Sequence, residues 1–315
     1  MTYDLLAMGR ISVDLYPEQS GVGLEDVSTF AKSLGGSPTN VAVAAARLGN
    51  RSAILTKVGD DPFGRYARRA LGEFGVDAAL VGTDPALRTP LAFCELHPPD
   101  HFPLLFYRQP SAPDLQLRED ELPLDAVVSA RILWTTGTGL SAEPSRGATL
   151  AALRARREAD ADALIVHDLD HRPMFWTDPR EAGEQARAAL SYASVAVGNR
   201  EEVEVAVGTS DPDDAASELL ALGVRVAIVK RGPAGVLVAT PDGRWDIPPV
   251  PVDVVCGLGA GDAFGGALCH GLLAGWEPER CVRLANAAGS FVAGQLACAD
   301  AMPTLADLGD AAVAA

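Results

Sequence analysis

The stretch 248–275, PPVPVDVVCGLGAGDAFGGALCHGLLAG, runs from an extended segment through closely spaced glycines into a helical pattern. Successive glycines expose backbone N–H groups to an anion, and the helix that follows adds its N-terminal donors and dipole. Asp262 lies in this turn, where the dipole keeps a carboxylate ionised and able to accept a proton from an attacking hydroxyl. The alternative that this stretch alone leaves open is an ordinary glycine turn with Asp262 as the helix N-cap.

The same order of strand, turn and helix recurs through most of the chain. DLLAMGRI (4–11) precedes the helical pattern PTNVAVAAARLG (38–49), and SAILTKVG (52–59) precedes DPFGRYARRALGEFG (61–75). Four later β-type runs are each followed by a helical or turn-rich segment: ARILWTTGTG (130–139), ADALIVHDLD (161–170), YASVAVGN (192–199) and VRVAIVKRG (224–232). This alternation predicts an α/β protein with a mostly parallel central sheet, helices on both faces and ligands at the carboxyl ends of the strands.

Two segments break the alternation. Residues 11–33 and 88–109 carry strand patterns with turn residues and no intervening helix, and the second predicts a hairpin around HPPDHFP (97–103). We expect them to form a small β lid over the sheet, within a single domain that spans residues 1–315.

Composition excludes several classes of partner. A formal net charge of −16 argues against nucleic acid or an anionic membrane, because both favour a basic protein face. No apolar run reaches the roughly 18 residues of a membrane helix, and the first residues do not resemble a secretory signal, so we expect a cytoplasmic protein. The five cysteines have no CxxC spacing, which favours small buried side chains over a metal cluster or a disulfide framework.

Three motifs occur together in a characteristic order. They are Gly35-Gly36 followed by Asn40, then Asn199-Arg200-Glu201-Glu202, and finally Gly259-Ala260-Gly261-Asp262. This combination resembles the PfkB (ribokinase-like) carbohydrate kinases over nearly the whole chain. The resemblance implies a ribokinase-like fold and transfer of a phosphoryl group from ATP to a sugar hydroxyl, with Mg²⁺ as the accompanying ion. A non-catalytic member that only binds sugar or nucleotide is the alternative from another class.

The resemblance also implies a role for each residue of the glycine turn. Asp262 is the expected base that deprotonates the sugar hydroxyl. The backbone of Gly259, Ala260 and Gly261 is the expected anion hole for the transferred phosphoryl group.

The nucleotide side of the site is expected at three other places. Asn199 and Glu202 would organise Mg²⁺, largely through water, although without the family the same residues are a plain helix start with Asn as N-cap. Lys230 and Gly232 match the segment that approaches the nucleotide phosphates, with a solvent-exposed lysine as the alternative. Asn286 falls where the family packs a helix beside adenine, and helix packing alone explains small residues there equally well.

The sugar side is expected around Asp14, which matches the acidic residue that binds sugar hydroxyls in the family. Gly35 and Gly36 let the backbone come close to the sugar, and Asn40 adds a side-chain amide. Carboxylate and amide groups suit polyols because both form hydrogen bonds with hydroxyls.

Two arginine motifs indicate an acidic sugar. Tyr107 and Arg108 in FYRQPSAPDL, and Arg172 in DLDHRPMFW, resemble kinases for keto-deoxy sugar acids, in which arginine and tyrosine meet the substrate carboxylate. The planar guanidinium suits this task because it can pair both carboxylate oxygens. Arg10 and Lys57 add positive charge to the same field, and a surface cation is the alternative for Arg108 and Arg172.

Four longer stretches resemble the members that phosphorylate the 6-hydroxyl of 5-dehydro-2-deoxy-D-gluconate in myo-inositol catabolism. They are residues 9–49, 59–71, 133–146 and 257–276. The alternative substrate is 2-dehydro-3-deoxygluconate, because its kinases share both arginine motifs. Two positions depart from the family pattern. His171 stands where tyrosine is expected, and Cys256 stands where many members have an aspartate associated with a monovalent cation, so potassium activation is not inferred. Family members often pair through the lid, which makes a homodimer the protein partner to test.

Overall fold

The computed structural model describes residues 2–309, so the single-domain prediction over 1–315 extends past both ends of the described range. The strands are β1 (Leu5–Met8), β2 (Ser12–Pro17), β3 (Phe30–Gly35), β4 (Ser52–Gly59), β5 (Val76–Asp77), β6 (Val81–Asp84), β7 (Leu91–Cys94), β8 (Leu104–Tyr107), β9 (Ile132–Thr136), β10 (Leu164–Asp168), β11 (Val195–Asn199), β12 (Val226–Lys230), β13 (Val236–Thr240) and β14 (Gly243–Ile247). The helices are α1 (Ser37–Arg47), α2 (Pro62–Glu73), α3 (Leu124–Ser129), α4 (Ser145–Ala159), α5 (Pro179–Leu190), α6 (Arg200–Val207), α7 (Pro212–Ala221), α8 (Ala260–Leu273), α9 (Pro278–Ala293) and α10 (Leu305–Leu308).

Ten strands form the central sheet. Its order is β14-β13-β12-β11-β10-β9-β1-β4-β5, with β6 also paired to β4. Every pairing from β12 to β5 is parallel, as in the register of Leu5 with Ile132 on one side and with Ser52 on the other. Only β13 and β14 run antiparallel, as a hairpin at one edge. The carboxyl ends of the parallel strands therefore meet at one edge of the sheet.

Both faces of this sheet are covered by helices. Along β1, Leu5 and Ala7 face one buried cluster with α1, α8 and α9, whereas Leu6 and Met8 face a second cluster with α4 to α7. Successive side chains of a strand point to opposite faces, so a continuous apolar run is what a sheet buried on both sides requires. The predicted α/β class, with a mostly parallel sheet between helical layers, is confirmed.

A second sheet of four strands has the order β3-β2-β7-β8. Strand β2 pairs antiparallel with β3 and parallel with β7, so that Asp14 lies between Ser33 and Ala92. We call this element the small sheet. Its strands span 12–35 and 91–107, so β3 ends two residues beyond the segment 11–33 that the sequence indicated.

No helix among residues 2–309 is both long and apolar enough to cross a membrane. The cysteines at 94, 256, 269, 281 and 298 are buried free thiols. Burial raises the pKa of Cys269 well above that of an exposed thiol, so this side chain stays protonated and packs as a small apolar group.

Candidate active site

A pocket of about 60 Å³ lies between the small sheet and the carboxyl edge of the central sheet. Its polar lining comes from segments far apart in the chain: Arg10, Asp14, Ser37, Asn40, Arg172 and Asp262. A second cavity of about 360 Å³ adjoins it and shares the lining residues Leu104, Phe106, Arg172 and Leu258. Asn199 and Glu202 also line this second cavity, so these two predicted nucleotide-side residues lie in the space next to the pocket.

Asp262 stands in the first turn of α8 and faces α1. The Asn40 side-chain amide Nδ2 donates a hydrogen bond of 2.8 Å to the Asp262 Oδ2. Burial raises the pKa of Asp262 above its ordinary value, and hydrogen bonds from Asn40 and Ser37 and the charge of Arg10 oppose that rise. The carboxylate is thus held in one orientation inside the pocket, as a proton acceptor requires.

The turn before α8 leaves backbone donors unused. Gly259 has a φ of 83°, and a Cβ there would lie 2.8 Å from the Cys298 Sγ, so only glycine fits. The first intrahelical bond of this turn runs from the Ala263 N–H to the Gly259 carbonyl at 2.9 Å. Within residues 2–309, the amides of Ala260 and Gly261 have no protein acceptor, which leaves them available to an anion.

Asp14 occupies the opposite wall of the pocket. The Ser12 Oγ donates to the Asp14 Oδ1 at 2.7 Å. A Cβ on Gly35 would lie 2.0 Å from the same oxygen, so glycine at this position makes room for the carboxylate. Burial raises the pKa of Asp14 to about 6, against the lowering effects of Ser12 and Arg10. Gly36, with a φ of 102°, then turns the chain into α1.

Charged side chains at the ends of β1 and β10 form a buried cluster around Asp170. The Arg10 Nη2 lies 3.5 Å from the carboxylate, and the Arg172 Nη2 lies 3.0 Å from it. The Thr138 Oγ1 donates a further bond of 2.9 Å. Burial by itself would raise the pKa of Asp170, but the charges of Arg10 and Arg172 hold it below the ordinary value. We call Arg10, Asp170 and Arg172 the arginine cluster.

Lys230, at the end of β12, reaches the glycine turn. Its Nζ lies 3.5 Å from the place that a Cβ on Gly261 would take. Burial by itself would lower the pKa of Lys230, but the charges of Asp168 and Glu202 raise it, so the ammonium stays charged. Gly232, two residues on, has a φ of 57° and starts the turn that follows the strand.

Asn199 and Glu202 cap the start of α6 reciprocally. The Glu202 N–H donates to the Asn199 Oδ1 at 2.9 Å, and the Asn199 N–H donates to the Glu202 Oε2 at 2.7 Å. These two hydrogen bonds are those expected if Asn199 and Glu202 only cap the start of a helix, which was the alternative interpretation. No group of three acidic, histidine or cysteine side chains within residues 2–309 is arranged to hold a metal ion. The side-chain oxygens of Asn199 and Glu202 are ligands of the kind that suits Mg²⁺, which usually retains several of its waters.

Two predicted substrate ligands do not lie in the pocket. The Arg108 Nη2 contacts both oxygens of Asp114 at 2.9 Å, in an ion pair that is almost entirely buried. Tyr107 is 60% exposed on the far face of the small sheet, where its ring packs edge-on against Phe93. Neither Tyr107 nor Arg108 lines the pocket in this structure, so their role as substrate ligands stays a prediction. The alternation of side chains along β8 points Tyr107 outward, and Asp114 satisfies Arg108.

Asn286 and Lys57, which the sequence also placed near the site, bind loop segments around it. The Asn286 Nδ2 on α9 donates to the Pro248 carbonyl at 2.7 Å and so anchors the segment that leads to the glycine turn. Lys57 binds Glu121 at 2.6 Å and the Gln116 carbonyl at 3.0 Å, which takes its charge away from the pocket.

Several residues of the site did not stand out in the sequence. The Tyr16 hydroxyl lies 2.7 Å from the Cys298 Sγ in the pocket wall, although the two are far apart in the chain. Burial raises the pKa of Asp168 to about 7, with Lys230 opposing the rise. Asp168 and Asp170 did carry a signal in IVHDLDHR. Asp168 ends β10 and Asp170 follows it by two residues, and polar residues at the carboxyl end of a buried strand indicate a site.

Comparison with known proteins gives a consistent result. A family model described as pfkB family carbohydrate kinase matches residues 3–305. A 5-dehydro-2-deoxygluconokinase from Geobacillus thermodenitrificans is 33% identical over 309 residues, which is 96% of this chain and 90% of that protein. The protein of the same name from Photobacterium profundum is 35% identical over 96% of this chain and 92% of its own length.

A solved structure supports the same assignment. The fructokinase from Vibrio cholerae O395, with fructose, ADP and a calcium ion bound, is 28% identical with a TM-score of 0.84 over 96% of this chain and 97% of its own. Such nucleotide-bound kinase structures support ATP and a divalent cation in general. Because the family model and the relatives span nearly the whole chain, the protein belongs to the pfkB family of carbohydrate kinases and is a sugar kinase of the ribokinase fold.

Proposed function

We propose that this kinase transfers the γ-phosphoryl group of ATP to the 6-hydroxyl of 5-dehydro-2-deoxy-D-gluconate, as a step of myo-inositol catabolism. The observation that carries the chemistry is the Asp262 carboxylate, held by Asn40 at 2.8 Å beside the free amides of the glycine turn. The substrate is supported by the relatives of that name, which match the chain at 33% and 35% identity. The arginine cluster beside the pocket supports an anionic sugar over a neutral one.

In this mechanism Asp262 accepts the proton of the sugar hydroxyl as its oxygen forms a bond to the γ-phosphorus and the bond to ADP breaks. The amides of Gly259, Ala260 and Gly261 and the ammonium of Lys230 stabilise the charge on the transferred group. Positioning and charge stabilisation supply most of the catalysis in phosphoryl transfer.

The nucleotide is proposed to lie along the carboxyl edge beyond Lys230 and Gly232, with Asn286 holding the loop near its base. Asn199 and Glu202 would hold Mg²⁺ through water. When bound, this ion neutralises charge on the ATP phosphates.

The sugar is proposed to bind between the small sheet and the central sheet, with Asp14 and the Asn40 amide on its hydroxyls. The backbone at Gly35 and Gly36 contacts it closely. Asn40 Oδ1 and the Nε atoms of Arg10 and Arg172 are buried and have no hydrogen-bond partner among residues 2–309. Buried polar atoms are normally paired, so these atoms support a polar ligand. Arg172 is the proposed partner of the substrate carboxylate.

The small sheet is proposed to act as a lid, and two copies of the chain are proposed to pair through its outer face. This face presents Phe30, Phe93 and Tyr107 in edge-to-face contact, with centroids 5.4 and 5.3 Å apart, and Leu105 is 48% exposed beside them. Leu105→Asp should convert the dimer to a monomer in light scattering, whereas a wild-type monomer at micromolar concentration would contradict the pairing. The cytoplasmic location stays a prediction for cell fractionation.

The test of the proposed function is a steady-state kinase assay with ATP and four purified sugars. We expect the highest kcat/KM for 5-dehydro-2-deoxy-D-gluconate, lower values for 2-dehydro-3-deoxygluconate, and little turnover of fructose or ribose. A preference for 2-dehydro-3-deoxygluconate would replace the proposed substrate with the alternative. Activity on the neutral sugars alone would refute an acid substrate, and binding without turnover would indicate a non-catalytic protein.

A further inference from the structure

Arg10 lies two residues after the end of β1, at the carboxyl edge of the central sheet, and its side chain lines the proposed sugar pocket. The residue is 9% exposed and lines the same pocket as Asp14, Asn40 and Asp262. Its Nη2 lies 3.5 Å from each Asp170 oxygen, at the outer limit of a hydrogen bond, and its Nε is buried without a partner among residues 2–309. The guanidinium thus has donors that the protein does not use.

The groups around Arg10 have the opposite hydrogen-bonding character. Ionised Asp14 and Asp262 only accept, and the unpartnered Asn40 Oδ1 also accepts. These acceptors suit sugar hydroxyls, each of which brings a hydrogen to donate. A guanidinium only donates. A hydroxyl oxygen can accept from it but also brings a hydrogen that needs an acceptor of its own, whereas a ketone oxygen only accepts, so a ketone oxygen is the simplest match for Arg10.

Arg10 also lines the same pocket as the proposed base Asp262. Burial raises the pKa of both Asp14 and Asp262, and the positive charge of Arg10 opposes that rise at each carboxylate. A hydroxyl that transfers its proton to Asp262 must lie within hydrogen-bond reach of it. Arg10, Asp14 and Asp262 line one small pocket, so the oxygen on the neighbouring carbon of a sugar held there would come within reach of Arg10.

We propose that Arg10 determines substrate specificity by donating to the ketone oxygen on the carbon next to the phosphorylated hydroxyl. In the proposed substrate this is the 5-keto oxygen, so the inference rests on the proposed function. Asp170 is the positioning residue, because it holds Arg10 on one side and Arg172 on the other. The two arginines have separate tasks, since Arg172 also lines the adjoining cavity and serves the carboxylate at the other end of the sugar.

The test compares two substrates that differ only at this carbon. 5-Dehydro-2-deoxy-D-gluconate carries the ketone, and 2-deoxy-D-gluconate carries a hydroxyl in its place. For the wild-type enzyme we expect kcat/KM to favour the ketone by roughly ten- to a hundredfold, the range for one hydrogen bond to a charged group. Arg10→Met should bring this ratio close to one, mainly by losing activity on the ketone.

A second variant and a matched control separate this specificity from other effects. Arg10→Lys keeps a donor and a charge at the site, so we expect an intermediate ratio even if the methionine variant folds poorly. Arg172→Met should lower kcat/KM for both acids alike and leave their ratio unchanged, because both carry the carboxylate. Thermal melting and ATP binding would report on the fold of each variant.

The outcomes separate the inference from the function on which it rests. If the Arg10 variants lost activity equally on both substrates, the ratio of their kcat/KM values would stay unchanged. That result would overturn the inference while leaving the kinase assignment intact. Failure of the wild-type enzyme to phosphorylate the ketone acid would overturn the proposed function, and the inference with it, before any variant is compared.

Discussion

Two glycine turns lead into helices that meet at the pocket, and they use their missing side chains in opposite ways. At Gly35, before α1, the space that a Cβ would fill is occupied by the Asp14 carboxylate, 2.0 Å from the Cβ position. At Gly261, in the first turn of α8, the nearest atom is the Lys230 Nζ at 3.5 Å, which is ordinary contact distance. The turn at Gly35 makes room for the Asp14 carboxylate, and the turn at Gly261 leaves open space beside the free backbone amides.

The hydrogen bond from Asn40 to Asp262 joins the two turns. Asn40 belongs to α1 and Asp262 to α8, so the proposed sugar wall and the proposed phosphate wall are coupled at the acid between them. Both glycine motifs therefore indicate that another group comes close to the backbone. Neither motif shows whether that group is a side chain of the protein or a ligand. That difference can be tested in order of the expected effect.

The largest effect is expected from Asp262→Asn, which removes the proposed base between the turns. Turnover should fall by about 10² to 10⁴-fold, the range for loss of a general base, while ATP binding measured by calorimetry stays nearly unchanged. Asp242→Asn, at the exposed turn between β13 and β14, is the matched control and should leave turnover intact. If turnover of the Asp262 variant stayed within tenfold of the wild-type value, Asp262 would not be the general base.

The next effect is expected from Gly35→Ala. The added methyl group overlaps the Asp14 carboxylate and must displace it. We expect kcat/KM for the sugar to fall about a hundredfold, because small misplacements in a site cost about that much. The free energy of unfolding should fall by about 1 to 3 kcal/mol from overpacking. An active, equally stable variant would show that Asp14 can move without loss.

Gly261→Ala should separate stability from activity. Alanine in place of a helical glycine stabilises by about 0.5 to 1 kcal/mol, but the methyl group beside Lys230 narrows the proposed phosphate site. We expect kcat/KM for ATP to fall about tenfold with an unchanged or higher Tm. Gly72→Ala in α2, which has open space around it, should raise stability without changing kinetics. Unchanged ATP kinetics at Gly261 would place the phosphates elsewhere.

Asn40→Ala tests the link between the turns through the pH profile. Burial raises the pKa of Asp262, and the hydrogen bond from Asn40 opposes that rise. A base must be deprotonated, so activity is lost as the pH falls through the pKa of Asp262. Removal of the donor should therefore move the acid limb of kcat/KM to higher pH. An acid limb that stays in place, or moves to lower pH, would mean that another group controls it.

The smallest effect is expected from Asn286→Ala, which frees the segment leading to the second turn. An exposed hydrogen bond contributes about 1 kcal/mol, so KM for ATP should rise about fivefold while kcat changes little. Ser290→Ala removes the neighbouring bond to the Val250 carbonyl, which is longer at 3.1 Å, and should have a smaller effect. A larger loss of kcat would indicate a direct contact with the nucleotide.

Local patterns in the sequence were sufficient for the main features. The apolar runs ending at Met8, Asp168 and Lys230 predicted parallel strands, because a strand buried on both faces needs a continuous apolar segment. The glycines around Asp262 predicted a turn into a helix for the same local reason. Arg108 shows the limit. Its motif indicated a substrate ligand, but only the folded chain places Asp114 against it.

The sequence by itself determined where strands, glycine turns and helices follow one another, since these depend on neighbouring residues and backbone sterics. The tertiary structure alone decided which charges meet. Arg10 and Asp170 are 160 residues apart, and Asn40 and Asp262 are 222 apart. The strength of such contacts depends on separations of a few ångströms in a desolvated site, and the chain reaches those separations only when the strand ends and the two helix starts converge.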